Sequence, residues 1–519
     1  MKFTQKLENT LGLSNSRHVR AGSLVTVTLE QLSPRDFFYY RRQCGVNLGS
    51  WFVLERWIAD RLFIRASPPA QSDLDIAKGL HAKDLLESHW DSWITDADFK
   101  WMVARGFNSV RIPIGYYHLC GADPSVIVGT DFEPFYNTYS GAWDRIKGAI
   151  LTAQQYSMGV LIDLHAAPGK QNKDAHSGAS GPSKFFSDAN NSKKALSVLE
   201  TLLNALPSIV DANETSVNNI IGIEVLNEPD PPSDQQLQNW YDKAISRIRQ
   251  IDPSVPIYLG DCWRTESYAD YIARRPKFSP VFLDHHLYRC FTSSDIATSA
   301  AEHSSSLLNP TGPISQTLSR AAESLGRAGG GIIVGEWSAA LNPGSLRGTF
   351  NEQRAFVDAQ LDLFERYCGG WFFWTYKKQH GGDTGWSLRD AVQGGVFPPT
   401  IGIQNRSKDL LKDSSEKRAS RRAQFKDQAL GAHVQYWDQH PGSYHHDRFS
   451  EGFDIGWNEA YDFMTWPNDS SPFISRLGFK AARAYVNTTD HGKSYWEYEH
   501  GFIQGVNAAE KDYHTMTFE

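Results

Sequence analysis

An α/β fold, with eight parallel strands alternating with helices and closed into a barrel, is the architecture the sequence predicts. Three observations carry it. Between about residues 43 and 376, short β-branched or apolar runs alternate with longer amphipathic stretches. The runs number eight, and their interiors are nearly continuously apolar, as in strands buried on both faces of a parallel sheet. A doubly wound open sheet would instead carry a glycine-rich phosphate turn after an early strand, and the chain has none.

In order, the strands are QCGVNLG (43–49), NSVRIPI (108–114), GVLIDLH (159–165), IIGIEVLNEP (220–229), PIYLGD (256–261), VFLDHHLY (281–288), GIIVGEW (331–337) and GGWFFWTY (369–376). Helices are predicted over 88–105, 143–157, 193–210, 234–251, 265–274, 314–327 and 350–367, with Ser233 and Thr349 as starting signals for two of them. Residues 1–40 form an arm, its SLVTVTLE run (23–30) a short strand covering the barrel floor. Residues 41–400 make the barrel. Residues 401–519 make an extension packed on it, with EGFDIGWNEAYDFMTW (451–466) its most apolar part. The Lys- and Arg-rich stretch 404–427 reads as a solvated linker or helix face, because acidic residues interrupt it.

Composition sets further bounds. The 519 residues carry 52 Lys+Arg against 59 Asp+Glu, a formal charge of −7, which argues against nucleic-acid or anionic-membrane partners. Hydrophobic residues at 40% exclude wholesale disorder. No apolar run reaches the length of a membrane span. The surplus of aromatics, 28 Phe, 21 Tyr and 16 Trp, suits stacking on sugar rings as well as filling a large core. Five cysteines (Cys44, Cys120, Cys262, Cys290, Cys368) lack metal-type spacing, and three of them lie in apolar surroundings that suit buried free thiols. MKFTQKLENTLGLSNS at the start lacks the apolar stretch of a secretory signal. The chain as written is expected to be cytoplasmic, unless a leader was removed or export is unconventional. The sequons at Asn190, Asn213, Asn405, Asn468 and Asn487 matter only in that second case.

In a parallel barrel the active site lies where strands end and βα-loops begin. The polar residues there are Arg111, Asp163, His165, Asn227, Glu228, His285, His286, Tyr288 and Glu336, with Trp374, Thr375 and Tyr376 closing strand eight. Such groups inside apolar strands are costly to bury without partners, so several converging on one rim mark a site. Glu228 and Glu336 stand out. Cleaving an acetal needs one carboxyl to protonate the leaving oxygen and another to stabilise the sugar carbon from the opposite side. Burial and the charge of Glu336 are expected to keep Glu228 protonated, while Arg111 and the Tyr288 hydroxyl keep Glu336 ionised. Asn227 offers an amide donor for a sugar 2-hydroxyl. Three tempting features are set aside. His440, His445, His446 and Asp447 read as a polar turn, HPGSYHHD, rather than a metal cluster. Ser338 lacks the pattern of a nucleophile elbow, and GRAGGG (326–331) lacks the Lys of a phosphate loop.

The set GVNLGSWFVLERWI (45–58), SHW (88–90), GFNSVRIPIGYY (106–117), DLHAAPGKQN (163–172), GIEVLNEP (222–229), DHHLY (284–288), GEWSAAL (335–341) and GGWFFWTYK (369–377) resembles glycoside hydrolase family 5, in particular its fungal exo-β-1,3-glucanase branch. The likeness runs in consistent order over residues 40–400. It implies a TIM barrel, a retaining mechanism and a β-glucan or β-glucoside substrate, with no metal and no organic cofactor. It also implies Glu228 as acid/base and Glu336 as nucleophile, with Glu55, Arg111, His165, Asn227, His286, Tyr288 and Trp374 around the sugar. One departure stands out: AAPGKQNKDAHSG (166–178) places Asp174 where the family has half of an aromatic entrance clamp, and His176 where it has an Asn. The other half survives as Phe291. Alternatives are a β-glucosidase acting on a different glucoside (a β-1,6-glucan, a glycolipid or an aglycone glycoside) and a binding protein without catalysis. Retention of both carboxylates argues against the latter. Oligomeric state is not legible.

Overall fold

The computed structural model describes residues 32–518, apart from 212, 276–279, 349–350, 403–413 and 467–472. Eight strands close into a parallel barrel in sequence order: β1 Gln43–Asn47, β2 Ser109–Gly115, β3 Gly159–Ala166, β4 Ile220–Glu224, β5 Ile257–Gly260, β6 Val281–Leu287, β7 Ile332–Trp337 and β8 Gly370–Phe373. Every strand residue is buried, because the barrel interior is filled on one face and helices cover the other. Closure runs through the β1–β8 pairing, Cys44 opposite Trp371 and Val46 opposite Phe373.

A short helix, α1 (Pro34–Tyr40), precedes the barrel, capped by Ser33 with Pro34 in its first turn. The main barrel helices are α2 Ala82–Trp93, α3 Asp96–Val103, α4 Ala142–Gln155, α5 Ala189–Ala205, α6 Asp234–Ile251, α7 Thr265–Ala273, α8 Pro313–Arg327 and α9 Glu352–Tyr367. Helix α6 matches its expected span, and Ser233 caps it as read. Three expectations need correction. The single helix over 88–105 is two, because Thr95 and Asp98 form a capping box that starts a new helix after Trp93. Strand four stops at Glu224 rather than 229, and strand eight at Phe373 rather than 376. In both places the chain leaves the ladder to project side chains into the barrel mouth. The strand expected over 23–30 and the Thr349 cap lie outside the described residues.

Among the described residues four helices follow: α10 Ser415–Trp437, α11 His446–Met464, α12 Phe479–Val486 and α13 Tyr495–Phe518. They bury a core of their own, with Phe449, Phe453, Trp457, Tyr461, Phe502 and Val506 at its centre and Phe37 of α1 joining it. This unit sits under the barrel. Leu477 enters the bottom layer formed by Leu161, Ile221, Tyr258, Phe282, Ile333 and Phe372, and Arg41 pairs with Ile474 in an antiparallel bridge. No described residue beyond 400 lines the cleft at the opposite mouth. The part of 404–427 within the described residues belongs to α10 and meets carboxylates of its neighbours, Arg421 with Asp512 and Lys426 with Asp454.

Helices α11 and α13 approach so closely that only glycine fits between them. A Cβ at Gly456 would lie 2.2 Å from the Phe502 carbonyl oxygen, and one at Gly505 2.2 Å from that of Phe453. Alanine in a helix interior normally stabilises by about 1 kcal/mol over glycine. Here the clash reverses the sign. Gly456→Ala is predicted to cost about 1–3 kcal/mol and lower the melting temperature. Gly431→Ala in α10, where an added Cβ meets nothing within 4 Å, is predicted to raise it. Calorimetry on the two variants checks both signs; a gain in the first would refute the packing argument.

Candidate active site

The barrel mouth opens into a cleft of about 1110 Å³, at the upper end of what encloses a small-molecule ligand. Glu55, His165, Glu228, His286, Tyr288, Phe291, Glu336 and Trp374 all line it, as do Asp174 and His176. These residues come from loops and strand ends across the barrel, which is why no local sequence window contains the site.

Beneath the cleft Arg111 is fully buried, two residues into β2 rather than at its end. Its guanidinium donates from Nε to Glu224 Oε2 (2.7 Å), from Nη1 to Asn47 Oδ1 (3.0 Å) and Glu336 Oε1 (2.9 Å), and from Nη2 to Asn227 Oδ1 (2.8 Å). Asp163 Oδ2 lies 3.0 Å from Nη2. Glu336 is held at its other oxygen by the Tyr288 hydroxyl at 2.8 Å. The expected pair of supports for Glu336, Arg111 and Tyr288, is therefore in place.

Glu228 occupies the left-handed region of backbone space, with φ +41°, which is strained for a residue with a side chain. Hydrogen bonds on both sides hold it there. Asn172 Nδ2 donates to its carbonyl oxygen at 3.0 Å, and Gln171 Nε2 to that of Asn227 at 3.0 Å. The twist turns the Glu228 carboxylate toward His286, whose Nδ1 lies 2.8 Å from Oε1. The same nitrogen is 3.6 Å from Glu336 Oε2, while Nε2 is 3.6 Å from Asp284 Oδ2. One oxygen of Glu228, one of Glu336 and a His286 nitrogen all lie within 4.8 Å of one another.

This geometry corrects the expected proton assignment. Burial opposes the charge on Glu228, but the hydrogen bond and charge of His286, with His176 and His165 behind it, bring the carboxyl down to about 2. Burial pushes Glu336 up, against the opposing pull of His286 and Arg111. Burial also opposes the charge on His286, yet Glu336 and Asp284 raise it well above the ordinary imidazole value. In the free site the group whose proton affinity is raised is His286, one hydrogen bond from Glu228, whose own affinity is lowered. The sequence shows both residues but not the 2.8 Å between them.

His165 carries no such charge. Burial and then Arg111 lower it to about 3, and its Nδ1–H donates to Asp163 Oδ2 at 2.6 Å. That leaves Nε2 as an acceptor. The imidazole stacks on the Trp374 ring, centroids 5.6 Å apart and planes 4° from parallel. Asn227 is fully buried, with Oδ1 on Arg111 and Nδ2 facing His165 Nε2 at 3.5 Å. It lies one layer below the cleft wall instead of on it. Glu55 accepts from Trp57 Nε1 at 2.7 Å, and burial raises its carboxyl to about 8, so near neutral pH it can donate as well as accept.

Four contributors escaped the sequence reading. Glu224 and Asp284 are buried carboxylates under the site; a lone acid inside IIGIEV or VFLDHH was the available signal. Trp386 joins Tyr288, Phe291 and Trp57 in an aromatic wall, with centroids 5.3–6.0 Å from theirs. Trp263, 59% exposed, stands on the cleft with its indole N–H donating to the His286 carbonyl at 3.1 Å. Neither tryptophan ends a strand, so strand-end reasoning passes over both.

Comparison with known proteins agrees with this geometry. The family described as cellulase (glycosyl hydrolase family 5) matches residues 79–380, and the C-terminal domain of glucan 1,3-beta-glucosidase 3 matches residues 418–513. Glucan 1,3-beta-glucosidase 3 of Schizosaccharomyces pombe is 32% identical over 92% of this chain and 96% of its own length. A probable glucan 1,3-beta-glucosidase A of Emericella nidulans is 30% identical over 69% of this chain and 90% of its own. Among solved structures, a rutinosidase from Aspergillus niger superposes with a TM-score of 0.55 at 19% identity, over 70% of this chain and 99% of that one; this likeness concerns the fold. The chain belongs to glycosyl hydrolase family 5.

The proton assignment yields a prediction. The form with one mobile proton on the Glu228–His286 pair loses it as pH rises through the raised His286 value. In His286→Asn the proton falls to a carboxyl, whose affinity for it is lower. The basic limb of the kcat/KM–pH profile is predicted to move to lower pH. An unmoved limb would place the proton elsewhere.

Proposed function

We propose that the protein is a retaining β-glucoside hydrolase that removes glucose units from the end of a β-1,3-glucan. The observation that carries this reading is the approach of Glu228 and Glu336, with oxygens within 4.8 Å. Retaining glycosidases place their carboxyls about 5–5.5 Å apart, whereas inverting ones need about 6.5–9.5 Å to admit a water. The names of the fungal relatives support the β-1,3 linkage.

In this mechanism the sugar stacks on Trp374, with Glu55, His165 Nε2 and His286 facing its hydroxyls. Glu336, aligned by Arg111 and Tyr288, attacks the anomeric carbon. As that C–O bond forms, the bond to the leaving oxygen breaks and Glu228 supplies the proton, which reaches it along its hydrogen bond to His286. A glycosyl ester on Glu336 results. Glu228, now a carboxylate, takes a proton from water, and the water oxygen displaces Glu336 from the opposite face, the one the leaving group vacated. The product keeps the β configuration. Arg111 and Asn227 act from below by fixing Glu336 and His165. Phe291, Trp386 and Trp263 give the leaving sugar aromatic surfaces to rest on.

Asp174, which stands where the family has an aromatic residue and is 54% exposed in its side chain, favours a second reading in which the leaving group is a different β-glucoside. Hydrolysis of laminarin, laminaribiose, gentiobiose, cellobiose and an aryl β-glucoside separates the two. Single glucose units released from laminarin are the expected result; activity confined to aryl or lipid glucosides would overturn the β-1,3 assignment. Glu228→Gln is predicted to lower kcat/KM on laminaribiose by about 10²–10⁴-fold, and much less on an activated aryl glucoside, whose leaving group needs no proton in the first step that kcat/KM reports. Glu336→Gln is predicted to abolish both.

A further inference from the structure

The helical extension holds a second cluster of ionisable groups, none of which lines the cleft. His433 lies near the end of α10, His446 is the first residue of α11, and Glu497 sits in the first turn of α13. Three separate helix ends therefore meet at one point. The Glu497 side chain is 1% exposed, and among the described residues its ion-pair partners are these two imidazoles alone. A carboxylate buried this deeply needs a positive charge beside it.

The contacts divide the work of its two oxygens. Oε1 accepts the backbone N–H of His445 at 2.6 Å, which fixes the carboxylate and turns Oε2 to the two imidazoles. Oε2 lies 3.3 Å from His433 Nε2 and 3.3 Å from His446 Nδ1. Charge-assisted hydrogen bonds would be shorter, about 2.7–2.9 Å, and the His446 contact lacks hydrogen-bond alignment, leaving a buried Nδ1 without such a partner. His433 Nε2 keeps hydrogen-bond alignment on Oε2, yet the two nitrogens stand equally far from it, as ligands do when they share a third atom. For ligands about 2.0 Å from a tetrahedral zinc, the ligand-to-ligand edge is about 3.3 Å.

The rings are already fixed. His433 stacks on Phe449, centroids 4.3 Å apart, and stands perpendicular to His446 at 5.1 Å. His446 lies flat against Tyr444 at 5.7 Å, and its Nε2 is 3.8 Å from Asp438 Oδ1, the position of a carboxylate that orients a ligating histidine. With its side chain 25% exposed, His446 leaves one side of the cluster open to water for a fourth ligand. Two imidazole nitrogens and one carboxylate oxygen suit zinc and its neighbours, not the all-oxygen shells of calcium or magnesium.

We propose that His433, His446 and Glu497 bind a divalent transition ion of the zinc class, which pins the α10–α11 turn to the start of α13. The ion is separate from glycoside chemistry. Of the polar residues in HPGSYHHD, His446 alone turns inward as a ligand, because the turn ends where α11 begins.

The test uses the full chain, stripped with chelator and titrated with Zn²⁺ and with Co²⁺. One equivalent bound, the intense visible absorption of four-coordinate Co²⁺, and a rise in melting temperature of roughly 5 °C with excess zinc are the expected results. Glu497→Gln and His446→Ala should each weaken zinc binding at least ~100-fold and lose the cobalt band. His440→Ala, at an exposed histidine of the same turn, should change neither. Glu497→Gln removes a buried charge with little change of shape, so its fold is retained for the comparison. Substoichiometric binding, no cobalt band, or unchanged zinc affinity in Glu497→Gln and His446→Ala would overturn the proposal and leave a hydrogen-bonded imidazole–carboxylate cluster.

Discussion

One buried guanidinium organises the barrel interior. Arg111 reaches Asn47 at the end of β1, Asp163 in β3, Glu224 in β4, Asn227 just after it, and Glu336 in β7. Its planar fork serves several acceptors at once, which a lysine ammonium on a flexible stem does not. A charge buried this deeply is tolerable only because carboxylates surround it, and they are tolerable only because it is there. Removing one partner from such a cluster typically costs about 3–5 kcal/mol. The arrangement dictates where Glu336 points, since Oε1 has one cation to meet and Oε2 the Tyr288 hydroxyl.

The proton inventory follows from the same crowding. Asp163, Glu224, Asp284, Glu228 and Glu336 surround Arg111 and His286, so acidic groups outnumber basic ones. His286 responds by holding a proton well past its ordinary range, and burial lifts Asp163 to about 7 despite Arg111. Glu228 and Glu336 are therefore not two isolated carboxyls with separate values. They titrate through the imidazole between them. The strained backbone at Glu228 sets that imidazole contact, and Asn172 and Gln171 maintain the strain from the loop after β3. The opposite end of the barrel carries a different load. There Leu477 and α1 close the floor, and the glycine-lined contact of α11 with α13 makes the extension a rigid base.

Much of this was legible in the sequence, for identifiable reasons. All eight strands were, because a parallel barrel buries both strand faces and leaves apolar runs between amphipathic helices. The extra residues assigned to β4 and β8 are those that leave the ladder to enter the site, where function overrides strand pattern. The break between α2 and α3 hid in a Thr–Asp capping box within otherwise helical composition. At the site, carboxylates and histidines at strand ends were readable by position alone. Glu224 and Asp284 were visible as lone acids in apolar strands, yet their role depends on Arg111 lying beneath the cleft instead of at its edge. Trp386 and Trp263 follow no strand-end rule. The location of the proton was not legible at all, since it turns on distances of a few tenths of an ångström.

In the proposed reaction Glu336 is the group that attacks the sugar, with Glu228 as its proton-handling partner. A 2-deoxy-2-fluoro-β-glucoside with an activated leaving group slows release of the glycosyl ester more than its formation. Mass spectrometry of the digested, labelled protein then locates the bond. The added sugar is predicted on the peptide containing Glu336, with loss of activity in proportion to labelling. A sugar on Glu228, or inactivation with no covalent adduct, would contradict the account.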